Sequence, residues 1–278
     1  MSKQKVRKLR LSASRCNTYA RCPKKYYWTY VQHLQPKDAG TYPLRLGVLV
    51  HRLLHQQNIG KINLEALGEY DRVVKKLFPE ILSDQEAVSL AKDAVSLFSG
   101  YVKEYADDPI EVVSSEIHLE LDRGPYILYA RVDQLGRTKD KKLWRVEHKT
   151  AARVDNAYLR GLKRGIQAGI ADILLGEVIT EKVYGTIYNL LVKTKIPAYY
   201  RSPVLTEKNL RGMTESMLCH TYTGVNEERF GCSMNCFTYN RECEYLTLCK
   251  YDSPQIRESF FKERPDVIPT SEGEEDEV

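Results

Sequence analysis

Asp133, Glu147 and Lys149 are the residues of this chain whose types and spacing suit hydrolysis at a phosphate. Residues 144–151 read WRVEHKTA. On a pleated strand residues two apart share a face, so Leu143, Arg145, Glu147 and Lys149 point one way while Trp144, Val146, His148 and Thr150 point the other. Taken alone, such a Glu-x-Lys reads as the exposed, charged face of an antiparallel strand. Asp133 changes that reading. It lies near the end of YILYARVDQLG (126–136), just before Gly136, and the turn RTKDKK would pair this run with 141–150 and bring Asp133 close to Glu147 and Lys149. Two carboxylates with open water positions suit Mg²⁺ or Mn²⁺, which can also accept a phosphate oxygen. The ammonium could orient or help deprotonate the attacking water and offset charge building on the phosphate. That is chemistry for phosphodiester hydrolysis.

The elements that must position these groups follow from periodicity. SASRCNTYARCPKKYYWTYV (12–31) predicts a Tyr-rich helix begun by Ser12 or Ser14 as N-cap. LRLGVLVHRLLHQQ (44–57) predicts a mostly buried helix, and helical patterns recur near 64–78 and 84–106. From about residue 110 the period changes to that of strands, over 111–121, 126–136 and 141–150. A helix at 159–177, a strand at 183–194, a helix around 207–220 and a cysteine-rich end complete the order. Helices followed by antiparallel strands and then alternating elements make an α/β (α+β) sheet with helices packed against it.

Composition bounds the rest. The chain has 278 residues, 42% hydrophobic and 28% charged, as expected of a soluble globular protein with room for a sizeable core. No apolar run is long enough to cross a bilayer, and MSKQKVRKLR is basic without the apolar stretch of a signal peptide, so no membrane association and a cytoplasmic location are expected. Formal net charge is +5, yet the tail SEGEEDEV carries five acidic residues and no Lys or Arg, which leaves +10 on residues 1–270. A basic body permits a polyanionic partner, and the tail reads as disordered. No G-x-x-x-x-G-K-[ST] loop occurs, so ATP-driven unwinding would fall to a separate helicase or recombinase partner.

In its ordered motifs the chain resembles the PD-(D/E)xK nuclease superfamily and, within it, the RecB-type exonucleases. VD at 132–133 followed by VEHKT at 146–150 is similar to the family's Asp and Glu-x-Lys on successive strands. GVLVH (47–51) is similar to its Gly-x-x-x-His helix, SASRCNTYARCPKKYYWTY to its opening, and GIQAGIADILL (165–175) to its Gln-x-x-x-Tyr helix. GTIYNLLVKTKIP and CFTYNRECEYLTLC resemble phage-encoded members. The resemblance implies a restriction-endonuclease-like central mixed sheet flanked by helices, with Asp133, Glu147, Lys149 and Gln167 catalytic and His51, Asp133, Glu147 and the His148 backbone carbonyl binding Mg²⁺ or Mn²⁺. Gln167 would steer Lys149 or a phosphate. Where the family has Tyr four residues after Gln, this chain has Ala171. His55 has no family counterpart and is left structural. Glu116, alternating with His118 and Glu120, reads as an exposed strand face. Tyr26, Tyr27, Tyr30, Tyr199 and Tyr200 could stack bases, although core or surface use is commoner.

Seven cysteines in a reducing compartment point to a metal rather than to disulfides. Relatives of the AddB and CRISPR-adaptation kinds hold a four-iron four-sulfur cluster with one N-terminal and three C-terminal cysteines, clamping the chain ends together. The resemblance implies Cys22, Cys236, Cys243 and Cys249 here, with Cys232 as the alternative to Cys236 and zinc as the alternative metal. Cys16 and Cys219 read as unligated. The expected division is a basic segment (1–11), a helical N-terminal part (12–109), a catalytic core (110–222), a cysteine-rich part (223–262) and an acidic tail (263–278). The expected function is a metal-dependent DNA exonuclease acting on single-stranded or free ends in recombination, repair or processing. A CRISPR-adaptation-type nuclease, or a noncatalytic nucleic-acid binding module with a structural metal centre, is the alternative.

Overall fold

The computed structural model describes residues 8–38, 40–62, 65–81, 83–205, 207, 209–238 and 241–264, and the acidic tail from 265 onward lies outside them. In chain order the elements are β1 (Leu9–Leu11), α1 (Ala13–Arg21), α2 (Pro23–Tyr26), β2 (Leu34–Pro36), α3 (Tyr42–Asn58), α4 (Tyr70–Leu77) and α5 (Asp84–Glu104). Then come β3 (Glu111–Asp122), β4 (Tyr126–Arg137), β5 (Leu143–Ala151), α6 (Asn156–Arg164), α7 (Ile166–Val178), β6 (Val183–Val192) and β7 (Ala198–Leu205). The end of the chain adds α8 (Leu210–Asn226), the short strands β8 (Phe237–Thr238) and β9 (Arg241–Glu242), α9 (Leu246–Lys250), α10 (Pro254–Phe260) and β10 (Phe261–Glu263).

These elements form a mixed sheet of order β1-β4-β5-β6-β7, with β3 also paired to β4. β4 and β5 run antiparallel, Gln134 facing Val146 and Gly136 facing Trp144. β5 and β6 run parallel, Glu147 beside Tyr188, and β6 and β7 are antiparallel. β6 is buried from Gly185 to Val192, the pattern of a strand covered on both faces. β7 was not among the expected strands; its Pro203 is tolerated because β7 ends the sheet order.

The chain divides into two compact units, residues 40–117 with 131–210, and residues 1–39 with 118–130 and 211–278. In the first, Leu46, Leu49, Val50, Leu53 and Leu54 of α3 pack with Leu90, Ala91, Ala94, Leu97 and Phe98 of α5. These positions recur every three or four residues, so each helix buries one stripe. Ser83 caps α5 by accepting from the Glu86 N–H. The helix expected at 159–177 is two, because Gly165 is extended (φ −71°, ψ 147°) and ends α6 before α7 begins. That break places Gln167 in the first turn of a new helix.

In the second unit the helix expected over 12–31 is also interrupted. Cys22 is extended (φ −161°, ψ 110°) because the ring of Pro23 crowds the preceding residue out of the helical region. After α2, residues Tyr27–Val31 form a π-helical turn. N- and C-terminal segments clasp here: β2 pairs antiparallel with β10, the Tyr245 hydroxyl donates to Leu34 O at 2.8 Å, and Trp28, Tyr245, Leu248 and Phe261 form one apolar cluster.

Candidate active site

β4 and β5 bring Asp133 next to the strand that carries Glu147 and Lys149. The backbone N–H of His148 donates to Asp133 Oδ2 at 2.8 Å. The face bearing Arg145 and Glu147 is not exposed as the isolated Glu-x-Lys suggested: Arg145 retains 1% and Glu147 2% of its accessible surface. The covering element is α7, whose Ala168 carbonyl accepts from the Arg145 guanidinium at 3.2 Å.

Lys149 and Gln167 close a triangle on Glu147. Lys149 Nζ donates to Glu147 Oε2 at 3.2 Å and to Gln167 Oε1 at 3.1 Å, while Gln167 Nε2 donates to the same Glu147 oxygen at 3.2 Å. Because Lys149 can only donate, the Gln167 amide has its oxygen toward Lys149 and its nitrogen toward Glu147.

His51 reaches the site from α3. A Cβ on Gly47 would come within 3.3 Å of Thr150 Oγ1, so the glycine lets α3 approach β5 closely, and His51 follows one turn later on the same side. Its Nδ1 stands 3.3 Å from Asp133 Oδ1. Glu116 joins this pair: ligand atoms of His51, Glu116 and Asp133 all lie within 4.8 Å of one another. The expected exposed face at Glu116 does not hold. Glu116 has a positive φ of 52°, an irregularity that breaks the two-residue alternation on which that expectation rested, and its carboxylate is half-buried beside Arg131 at 2.8 Å.

The electrostatics are those of a concentrated acidic site. Burial would raise Asp133, but the His51 hydrogen bond and charge hold it well below the usual carboxylate range. Burial, then repulsion from Asp133, raises Glu147, and burial likewise raises Glu116 against the pull of Arg131. His51 and Lys149 are both raised, their carboxylate partners outweighing burial. His148 is the opposite case, its buried ring pushed down to about 4.

The family model described as the PD-(D/E)XK nuclease superfamily matches residues 10–250. The chain belongs to the PD-(D/E)XK nuclease superfamily. Among solved structures, a candidate exonuclease from Eubacterium rectale superposes with a TM-score of 0.58 over 90% of this chain and 91% of its own, at 14% identity, which shows a shared fold. SSO0001 is 15% identical over 62% of this chain and 84% of its own, with a TM-score of 0.30, too low to carry an argument. No curated protein matches significantly. As a PD-(D/E)XK protein the chain is a nuclease by class, and its mixed sheet flanked by helices is the fold expected from sequence.

In this PD-(D/E)XK chain Ala171, at the position of the family's Tyr, is packed in the core of α7. His55 bonds to Ser115 Oγ at 3.0 Å, and Ser115 in turn donates to the Asp133 carbonyl at 3.3 Å, consistent with a structural part. Tyr26 is fully buried and stacked with Phe230, so it presents no face to a base. The cysteines lie in the clasped unit. Burial raises the Cys249 thiol, and Cys232, Cys243 and Cys22 add to that rise electrostatically. The Cys236 Sγ contacts Ser233 O at 3.6 Å, and its carbonyl accepts from the Cys243 N–H at 2.7 Å. Among the described residues no helix is long and apolar enough to cross a membrane.

Proposed function

We propose that this protein is a metal-dependent DNA exonuclease hydrolysing phosphodiester bonds at single-stranded or free ends, in recombination, repair or DNA processing. The observation that carries this reading is the approach of one imidazole and two carboxylates to within 4.8 Å of one another, beside the Lys149–Glu147–Gln167 triangle. The donor set fits a divalent cation. Oxygen ligands about 2.0–2.3 Å from such an ion stand up to ~4.6 Å apart across it, close to the observed spread.

His51, Asp133 and Glu116 would hold the ion, with Glu147 and the His148 carbonyl completing the set. When bound, a divalent cation polarises a phosphoryl oxygen and lowers the pKa of a water. Lys149 provides positive charge where negative charge builds on the phosphate and orients the attacking water. Gln167 fixes the direction of the Lys149 ammonium. Mg²⁺ or Mn²⁺ is the expected metal, DNA the substrate, the cytoplasm the compartment, and a helicase or recombinase the partner that would supply unwound ends.

The cysteine-rich part is proposed to hold a four-iron four-sulfur cluster. Cys22, Cys236, Cys243 and Cys249 are its proposed ligands, with Cys232 as the alternative to Cys236. Four soft thiolates equally suit zinc, which metal analysis distinguishes.

The test is digestion of end-labelled linear single- and double-stranded DNA, with circular controls, in Mg²⁺ or Mn²⁺. Linear DNA should shorten from its ends while circles persist. Glu147→Ala and Lys149→Ala should each reduce cleavage by about 10²-fold or more while the fold is kept. Metal-dependent cleavage by purified Glu147→Ala at the parental rate would sink the assignment, and a parent inert on every substrate would favour a binding module.

A further inference from the structure

Arg145 is among the largest fully buried side chains of the described residues, and it carries a charge. It stands two residues before Glu147 on β5 and therefore on the same face. Burying a guanidinium costs several kcal/mol unless its surroundings compensate, so its neighbours reveal what it serves. One end is anchored: Nη1 donates to the Ala168 carbonyl at 3.2 Å and lies 3.5 Å from Asp172 Oδ1, both on α7. The inner nitrogen, Nε, is buried with no hydrogen-bond partner and stands 3.8 Å from Glu147 Oε1.

The two oxygens of Glu147 are thereby divided between two cations. Oε2 takes Lys149 and Gln167, and Oε1 faces Arg145. The two cations differ in freedom. Lys149 is a flexible ammonium with 22% of its side chain exposed, whereas Arg145 has 1% exposed and is fastened to the helix that presents Gln167. In the proposed reaction Lys149 must turn toward the water and the phosphate. If it were the sole counter-charge of Glu147, that movement would strand a buried carboxylate beside Asp133.

Resting on the nuclease reading above, we infer that Arg145 is a positioning residue: the fixed counter-charge that holds Glu147 in place and leaves Lys149 free to face the substrate. A guanidinium suits this part because its charge is permanent and its fork can grip α7 with one arm while presenting another nitrogen to Glu147. A lysine at 145 would keep a charge but could not do both.

The experiment compares Arg145→Met, Arg145→Lys and the parent by Mn²⁺ binding without DNA, read from the free-Mn²⁺ electron paramagnetic resonance signal, and by steady-state cleavage. Arg145→Met should bind Mn²⁺ about tenfold more weakly and lose at least tenfold in kcat with KM within about twofold, while Arg145→Lys recovers most of the metal affinity. A folded Arg145→Met with parental Mn²⁺ affinity and kcat overturns the inference.

Thermal melts of Arg145→Met, Glu147→Gln, Asp172→Asn and the two double variants decide the case in which Arg145→Met is too unstable to assay. Glu147→Gln should recover part of the melting temperature lost in Arg145→Met. If Asp172→Asn recovers it and Glu147→Gln does not, Arg145 serves the helix alone and the inference is wrong. A parent that neither binds Mn²⁺ nor cuts DNA would remove the nuclease reading, while these melts would still report whether Arg145 answers to Glu147.

Discussion

Asp133 Oδ2 accepts the backbone N–H of His148 at 2.8 Å, so the carboxylate that would bind metal also ties β4 to β5 at the site. Its other oxygen faces His51 at 3.3 Å. One side chain thus carries a structural bond and a chemical one, and substitutions should separate them.

Asp133→Asn keeps an acceptor for the His148 N–H, and Asp133→Ala leaves that N–H unpaired in a buried place. Both should abolish cleavage. Asp133→Ala should in addition lose about 1–3 kcal/mol of stability, the cost of an unsatisfied buried donor, with Asp133→Asn much nearer the parent. Urea denaturation of the three proteins makes the comparison. Equal stability of the two variants would show that the bond contributes little.

His51 adds an imidazole to an otherwise oxygen-rich site and should favour Mn²⁺ over Mg²⁺. Activity should be higher in Mn²⁺, and His51→Ala should lower activity and metal affinity together. A His51→Ala protein that titrates with metal like the parent would make His51 a packing residue only.

The rings of His51 and His148, with centroids 6.1 Å apart, should act on stability in opposite senses. His148 is depressed from 6.5 to about 4 by burial. Its contribution is complete above pH 6.5 and is lost as the pH falls toward 4, where the unfolded chain binds the extra proton; the size is roughly 3 kcal/mol. His51 is raised by Asp133 against the opposing effect of burial, so its contribution is complete below pH 6.5 and is lost as the pH rises through its folded value. Glu147 and Glu116, both raised, also lose stability as the pH rises above 4.5. The measurement is therefore the difference between parent and His148→Leu in metal-free urea melts: from pH 7 to pH 4 the variant should gain on the parent. Parallel curves would rule out the His148 contribution.

Protein purified anaerobically should be brown, absorb broadly in the visible, and contain iron and sulfide. Cys22→Ala, Cys243→Ala and Cys249→Ala should lose colour and melt at lower temperature, because a centre bound by the folded state alone stabilises it. Cys16→Ala and Cys219→Ala should keep the colour, and comparing Cys232→Ala with Cys236→Ala identifies the remaining ligand. Stoichiometric zinc without iron from iron-replete cells would replace the cluster with zinc and leave the nuclease reading untouched.

Much of this arrangement was legible because it follows period and spacing. The strands over 111–122, 126–137 and 143–151 announce themselves by alternation, and Gly47 and His51 share a helix face by their separation of four. What stayed hidden depends on tertiary context. Glu116 enters the site through a backbone irregularity that alternation cannot register, and the burial of Arg145 and Glu147 requires α7 to cover a face that reads as solvated. Gly165 divides a continuous helical pattern, and β2 and β10 are three residues each, too short to show a period. Family order supplied the expectation that His51 and Asp133 meet, which no single residue type would have justified.

The clasp between β2 and β10 also imposes an order of events on the growing chain. Residues 40–210 contain every segment of the unit that carries the candidate active site, together with the stretch 118–130 that belongs to the other unit. The cysteine-bearing unit instead needs partners more than two hundred residues apart, such as Leu34 and Glu263, and distant contacts close late because the intervening loop must first lose its entropy. During synthesis the sheet with Asp133 and Glu147 can therefore assemble first, while β2 waits for Phe261, Lys262 and Glu263 to emerge from the ribosome.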